Sequence, residues 1–255
     1  MPPEAIRRIG ALLRHNLTLV LQEPAPLIAR IGSPMLLMVA LEPLYRAALA
    51  HEGSAAGRSQ AATGMLVMFS LLATSLVGSA VLTERVWRTW DRLRATPARP
   101  AELLAGKASA ALAVLLAQQL AVITFAHLAL GLEVERPALL AAALLVWAMA
   151  LLGLGAAIAT LVRSLGEFGA ATDLLSLGLS MLGGALAPIA LMPGWLQRVA
   201  PISPGYWAMS GLEAAERGDA EAAMRSMLVL LAVAVLAGGV ACWRMSRGWE
   251  RSRLL

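Results

Sequence analysis

Apolar residues along the chain gather into long runs, separated at intervals by short arginine-rich or proline-rich stretches. A helix of about twenty apolar residues is long enough to cross a hydrocarbon core of about 30 Å. The runs predict six such spans: Leu27 to Leu49, Ala61 to Leu82, Lys107 to Gly131, Pro137 to Val162, Gly169 to Leu191 and Ala222 to Trp243. The expected fold is an all-α integral membrane protein with six transmembrane helices. Gly153, Gly155, Ala156 and Ala159 in the fourth span suit close helix packing.

Between and before the spans the pattern changes to amphipathic. Ile6, Ile9, Leu13, Leu17 and Val20 share one helical face, with Arg7, Arg8, Arg14, His15 and Thr18 opposite. Residues 1–26 therefore read as an interfacial helix and linker lying on the membrane, the alternative being a cleaved or disordered leader. From Glu84 to Lys107, Val86, Trp90 and Leu93 recur at helical spacing while Arg85, Arg88, Asp91 and Arg92 take the other faces. Thr96-Pro97 should stop that helix and Pro100-Ala101-Glu102 open the next. Residues 84–106 thus form a loop carrying a short helix across the mouth of two spans, placed to pass a push to them. Ala50 to Gln60 reads as a polar loop, and Glu133, Glu135 and Arg136 as another. Prolines 188, 193, 201 and 204 break residues 188–221 into an irregular, apolar stretch that reads as a re-entrant outer element shielded by protein. Gly211 to Arg225 is acidic and helical in pattern.

Composition sharpens this picture. The chain of 255 residues is 59% hydrophobic and 15% charged, where soluble domains carry about 25% charged residues. The net charge of +5 does not point to nucleic acid, because the basic residues sit in blocks beside apolar runs. Placing the N-terminus, the 84–106 loop, the Arg163 turn and the C-terminal Arg244, Arg247, Arg251 and Arg253 on one side leaves Arg46, Arg58, Arg136, Arg198, Arg217 and Arg225 on the other. The arginine-rich side is then cytoplasmic, with both termini inside a bacterial inner membrane. The single cysteine, Cys242, excludes an intrachain disulfide.

Candidate chemistry is sparse. His15, His51 and His127 lie far apart, with no acidic neighbour at metal-ligand spacing, and no Gly-x-Ser-x-Gly elbow occurs. Gly106-Lys107 looks like the end of a phosphate loop, but Ala101 stands where that loop needs glycine. The chain is not expected to be an enzyme. Glu42 and Arg46 are spaced to pair on one helical face. Glu167 and Asp173 lie close to the inner surface, where capping or headgroup contact suits them. A buried carboxylate at any of these three positions would instead suit an ion-coupled secondary transporter.

Two stretches carry a resemblance. Glu84, Leu93-Arg94-Ala95-Thr96-Pro97, Glu102-Leu103-Leu104 and Gly106-Lys107 follow in order, and Gly183 to Trp207 reads GGALAPIALMPGWLQRVAPISPGYW. The chain thereby resembles ABC-2 type transporter permeases, and Trp90-Asp91-Arg92-Leu93-Arg94 is most similar to the daunorubicin-type drug-resistance branch. A Gly-Thr or Gly-Ser pair usual in that family's inner helix is replaced around Arg88-Thr89. The resemblance implies a permease subunit of an ATP-binding-cassette exporter, moving an amphipathic drug, lipid or glycan out of the cytoplasm or inner leaflet. It implies a homodimer, or a pair of related permeases, in membrane lipid. Two copies of a separate ATPase subunit would hold the ATP and Mg, with no cofactor on this chain. Glu84, Arg85, Val86, Arg88, Trp90, Asp91, Arg92, Leu93, Arg94, Thr96 and Pro97 would form the coupling contact with that ATPase. Arg163 and Glu167 would add a second inner contact, and Glu42, Met35, Met68 and Met181 are candidates to line the substrate path. A lipid-binding topology anchor at Arg85 to Arg94, and a non-transport scaffold, are the plainer alternatives.

Overall fold

A computed structural model describes residues 24–75, 78–79, 82 and 100–246, together with positions 10 and 22. The predicted interfacial helix, the coupling stretch from Glu84 to Pro97 and the arginines beyond Ser246 lie outside the described residues, apart from the helical positions 10 and 22. Among the described residues the chain is helical and contains no strand. Four helices among the described residues are long and apolar enough to cross a membrane: α1 (Pro24–Ala48), α3 (Pro100–Leu130), α4 (Pro137–Leu161) and α8 (Ala220–Ser246). Between them lie α2 (Ser54–Leu72), α5 (Leu165–Leu182), the six-residue α6 (Gly194–Val199) and α7 (Pro204–Glu216).

Prolines mark two helix starts. Pro137 and Pro204 each sit in a first turn, where the missing N–H costs nothing. Helix α1 also contains Pro34 and Pro43 within its length. Helix α4 packs along α8 with almost no side-chain spacer. A Cβ on Gly153 would lie 2.8 Å from the Ala234 carbonyl oxygen, so only glycine allows this approach. On another face of α4, Gly78 lies against the Phe168 ring and the Gly155 carbonyl. The core gathers Met38, Met65, Leu66, Leu115, Trp147, Leu151, Leu212 and Leu230, with α2 packed against α1, α3 and α5 and α7 against α4 and α8.

Three boundaries differ from the sequence expectation, each for a local reason. The expected loop Ala50 to Gln60 is helical from Ser54, because its small residues pack instead of facing water: a Cβ on Gly57 would lie 2.6 Å from the Arg46 backbone. The helix expected to run from Gly169 to Leu191 is α5, which begins at Leu165 and stops at Leu182. Gly183 presses against the Gly205–Tyr206 peptide, and Gly184 turns at φ +85°, a conformation open to glycine. The helical stretch expected from Gly211 to Arg225 is cut in two at Gly218, where φ is +72°. The chain thus reverses between α7 and α8 and brings the end of α7 beneath the Leu132–Arg136 loop.

Candidate functional site

Residues 183–219 form a cap over one end of the bundle, fastened by side chains that reach from α1 and α2 to its backbone and by one of its own that reaches the end of α5. Tyr45 on α1 donates its hydroxyl to the Leu186 carbonyl at 2.8 Å. Gln60 on α2 donates its amide to the Gly184 carbonyl at 2.8 Å, and Gly64 one turn on lets the Ala185 carbonyl touch the helix backbone. Ser203 donates to the Leu179 carbonyl at the end of α5 (2.8 Å) and accepts from the Gly205 N–H, which starts α7. An irregular backbone can be buried only when its polar groups are met in this way.

The last of these fasteners is ionisable. Glu216, the final residue of α7, is 3% exposed. Its carboxyl accepts from the Ser59 hydroxyl at 2.5 Å and from the Thr63 hydroxyl at 2.7 Å. Ser59 and Thr63 are four apart on α2 and so present one face. The Glu216 carbonyl accepts from the Glu135 N–H at 2.9 Å, which joins the 131–136 loop to the same point. Burial pushes the Glu216 carboxyl up to about 7, and nearby Glu213 adds to that, against the opposing pull of the two hydroxyls and Arg217. Burial likewise raises Glu213, whose carboxylate faces Arg217 at 3.8 Å.

Two cavities flank this carboxyl. One, of about 340 Å³, lies between α2, the Gly183–Ala190 turn and α7, and mixes apolar Leu49, Ile189 and Met209 with Glu52 and Glu213. The other, of about 360 Å³, is bounded by Glu216 itself, Ser59, Arg58, Glu133 and Glu135. Ser59 lines both.

The residues singled out from the sequence fall elsewhere. Glu42 and Arg46 form the expected i, i+4 ion pair at 3.3 Å. Glu167 caps its helix as expected: its N–H donates to the Ser164 hydroxyl (3.1 Å), and its carboxylate accepts from the Arg163 N–H (2.8 Å). Asp173 is exposed on α5. His127 is structural, its Nδ1 lying 2.7 Å from the Leu132 carbonyl. Met35 is half-buried on α1, Met68 packs on the core and Met181 is 56% exposed. These methionines line neither of the two cavities beside Glu216. The coupling residues from Glu84 to Pro97 lie outside the described residues.

The apolar helices agree with the comparison to known families. The chain belongs to the ABC-2 type transporter family, whose model matches residues 7–216 and so takes in residues 84–106 and most of the cap. The chain is also similar to the linearmycin resistance permease protein LnrN of Bacillus subtilis (strain 168). The two are 26% identical over 151 residues, which is 59% of this chain and 39% of LnrN.

Proposed function

We propose that the chain is the transmembrane permease of an ABC exporter, moved by separate ATPase subunits that dock on the Glu84–Pro97 helix. The family match over residues 7–216 carries this reading, since members work with ATPase partners and the matched region contains the candidate coupling helix. In this arrangement α1, α2, α3, α4, α5 and α8 are the six spans, with α2 completed by the residues up to Leu82. The cap at 183–219 is the re-entrant outer element, and both termini face the cytoplasm of a bacterial inner membrane. Two permease copies pair, each with one ATPase subunit, which holds ATP and Mg. Arg163 and Glu167 sit at the α4–α5 turn on the same inner side and form a second docking point.

ATP-driven closure of the ATPases displaces the Val86–Leu93 helix and tilts the spans on either side of it, α2 and α3. Such coupling requires contacts that differ between two states, and the two tryptophans beside four arginines provide them. The cargo is an amphipathic molecule, in keeping with the apolar helices and with the resistance role printed for LnrN. Of the three carboxylates singled out for an ion-coupled carrier, Glu42 is engaged by Arg46, Glu167 by its helix cap, and Asp173 is exposed on α5. Copurification from native membranes tests the proposal: an ATPase subunit should accompany the chain. Trp90→Ala with Arg92→Ala should abolish export while membrane insertion persists. Unchanged export in that double variant would contradict it.

A further inference from the structure

We propose that Glu216 is a proton-operated clasp: its buried carboxyl ties α7 to α2 through Ser59 and Thr63, and loss of its proton to the surrounding cavity loosens the cap. The argument begins with position. Glu216 is the last residue of α7, so a single carboxyl anchors the end of that helix, and its own carbonyl also holds the Glu135 N–H. When neutral, the carboxyl keeps both hydroxyl contacts at little desolvation cost. When ionised, it becomes an anion in an enclosed site, which burial disfavours.

The surrounding charges do not offset that cost. The groups that face Glu216 are Glu52 before α2, Arg58 on α2, Glu133, Glu135 and Arg136 in the loop, and Glu213 and Arg217 on α7. Asp219, Glu221 and Arg225 open α8, beside Ser210 and Trp207 on α7. Helix α4 contributes no ionisable residue, and those of α5, Glu167 and Asp173, lie in its first half, away from the cap. His127 and His51 stand near the same end, held against Leu132 and Glu52. Acids outnumber bases around the site, and Arg217 is also engaged by Glu213. The cavity of about 360 Å³ against Glu216 gives the proton a route out.

The sign follows from comparing the closed clasp with an open one in which the carboxyl meets water. The closed form holds its proton more tightly, so the clasp is strongest in acid. It weakens as pH rises from the ordinary carboxylate range toward about 7 and then levels off. Cap opening should therefore increase by up to about a hundredfold between about pH 5 and about pH 8. That opening admits or releases cargo rests on the exporter reading; the titration of the clasp does not.

The test uses the full chain in lipid nanodiscs, wild type against Glu216→Gln, which stays neutral and keeps an acceptor for a hydroxyl. Infrared titration should show a protonated carboxyl band that disappears near neutral pH in the wild type and is missing in Glu216→Gln. Amide hydrogen exchange across Pro204–Glu216, compared between the two proteins at each pH, should give a ratio that grows with pH. Thr63→Val removes one donor to the ionised form and should move the midpoint upward, which keeps the test valid if Glu216→Gln does not fold. A carboxyl already ionised at about pH 5, an exchange ratio flat with pH, or a midpoint unmoved by Thr63→Val would each overturn the clasp. Failure to find an ATPase partner would overturn the exporter reading and leave this titration standing.

Discussion

The seam between α4 and α8 and the cap over the bundle hold the same molecule together by opposite means. Along the seam, Gly153 lets two backbones meet, and none of the residues 137–161 is ionisable. Cohesion there comes mainly from contact area, with one hydrogen bond from the Arg244 guanidinium to the Thr160 carbonyl (3.3 Å). At the cap, backbone carbonyls of Leu179, Gly184 and Leu186 are each met by one side chain, and Glu216 by two. A glycine-lined seam of this kind can open only as a whole, whereas a set of individual polar contacts can be released one at a time. The difference places rigidity in the α4–α8 pair and movement in the cap.

Volume should break the seam most severely. Gly153→Val puts a branched side chain against the Ala234 carbonyl and should cost about 2–3 kcal/mol, read as a lowered Tm in detergent. Gln60→Leu leaves the Gly184 carbonyl without its donor and should cost about 1–2 kcal/mol. Proteolysis at the 183–203 segment should accelerate in that variant, while the seam keeps its hydrogen-exchange protection. The smallest effect belongs to Glu42→Gln: Arg46 is 53% exposed, so losing the pair should cost about 0.5 kcal/mol or less by thermal unfolding. A cap that tolerates Gln60→Leu as easily as α1 tolerates Glu42→Gln would erase the contrast between the two regions.

Much of the fold was legible because the membrane leaves few options for an apolar run. Pro137 marks the start of α4, and the last span at Ala222 to Trp243 falls within α8. The cap was visible as an irregular segment, through its prolines, but its fasteners were not. Ser59, Gln60 and Thr63 read as loop or span residues because a hydropathy pattern treats polar groups as facing water. Their partners, Glu216 and Gly184, lie well over a hundred positions away along the chain. The available hint was the i, i+4 spacing of Ser59 and Thr63, together with Glu213 and Glu216 at i, i+3. Carboxylate reasoning turned instead to Glu42, Glu167 and Asp173, which sit in or beside apolar runs and proved to be paired, capping and exposed.

ATP hydrolysis by the complex purified from native membranes is the most direct measure of whether this chain is driven from its inner face. The account predicts that the wild-type chain brings down ATPase activity, and that the Trp90→Ala, Arg92→Ala double variant inserts normally but loses it. A folded, membrane-inserted wild-type chain that carries no ATPase activity would contradict the account, as would a double variant that keeps all of it.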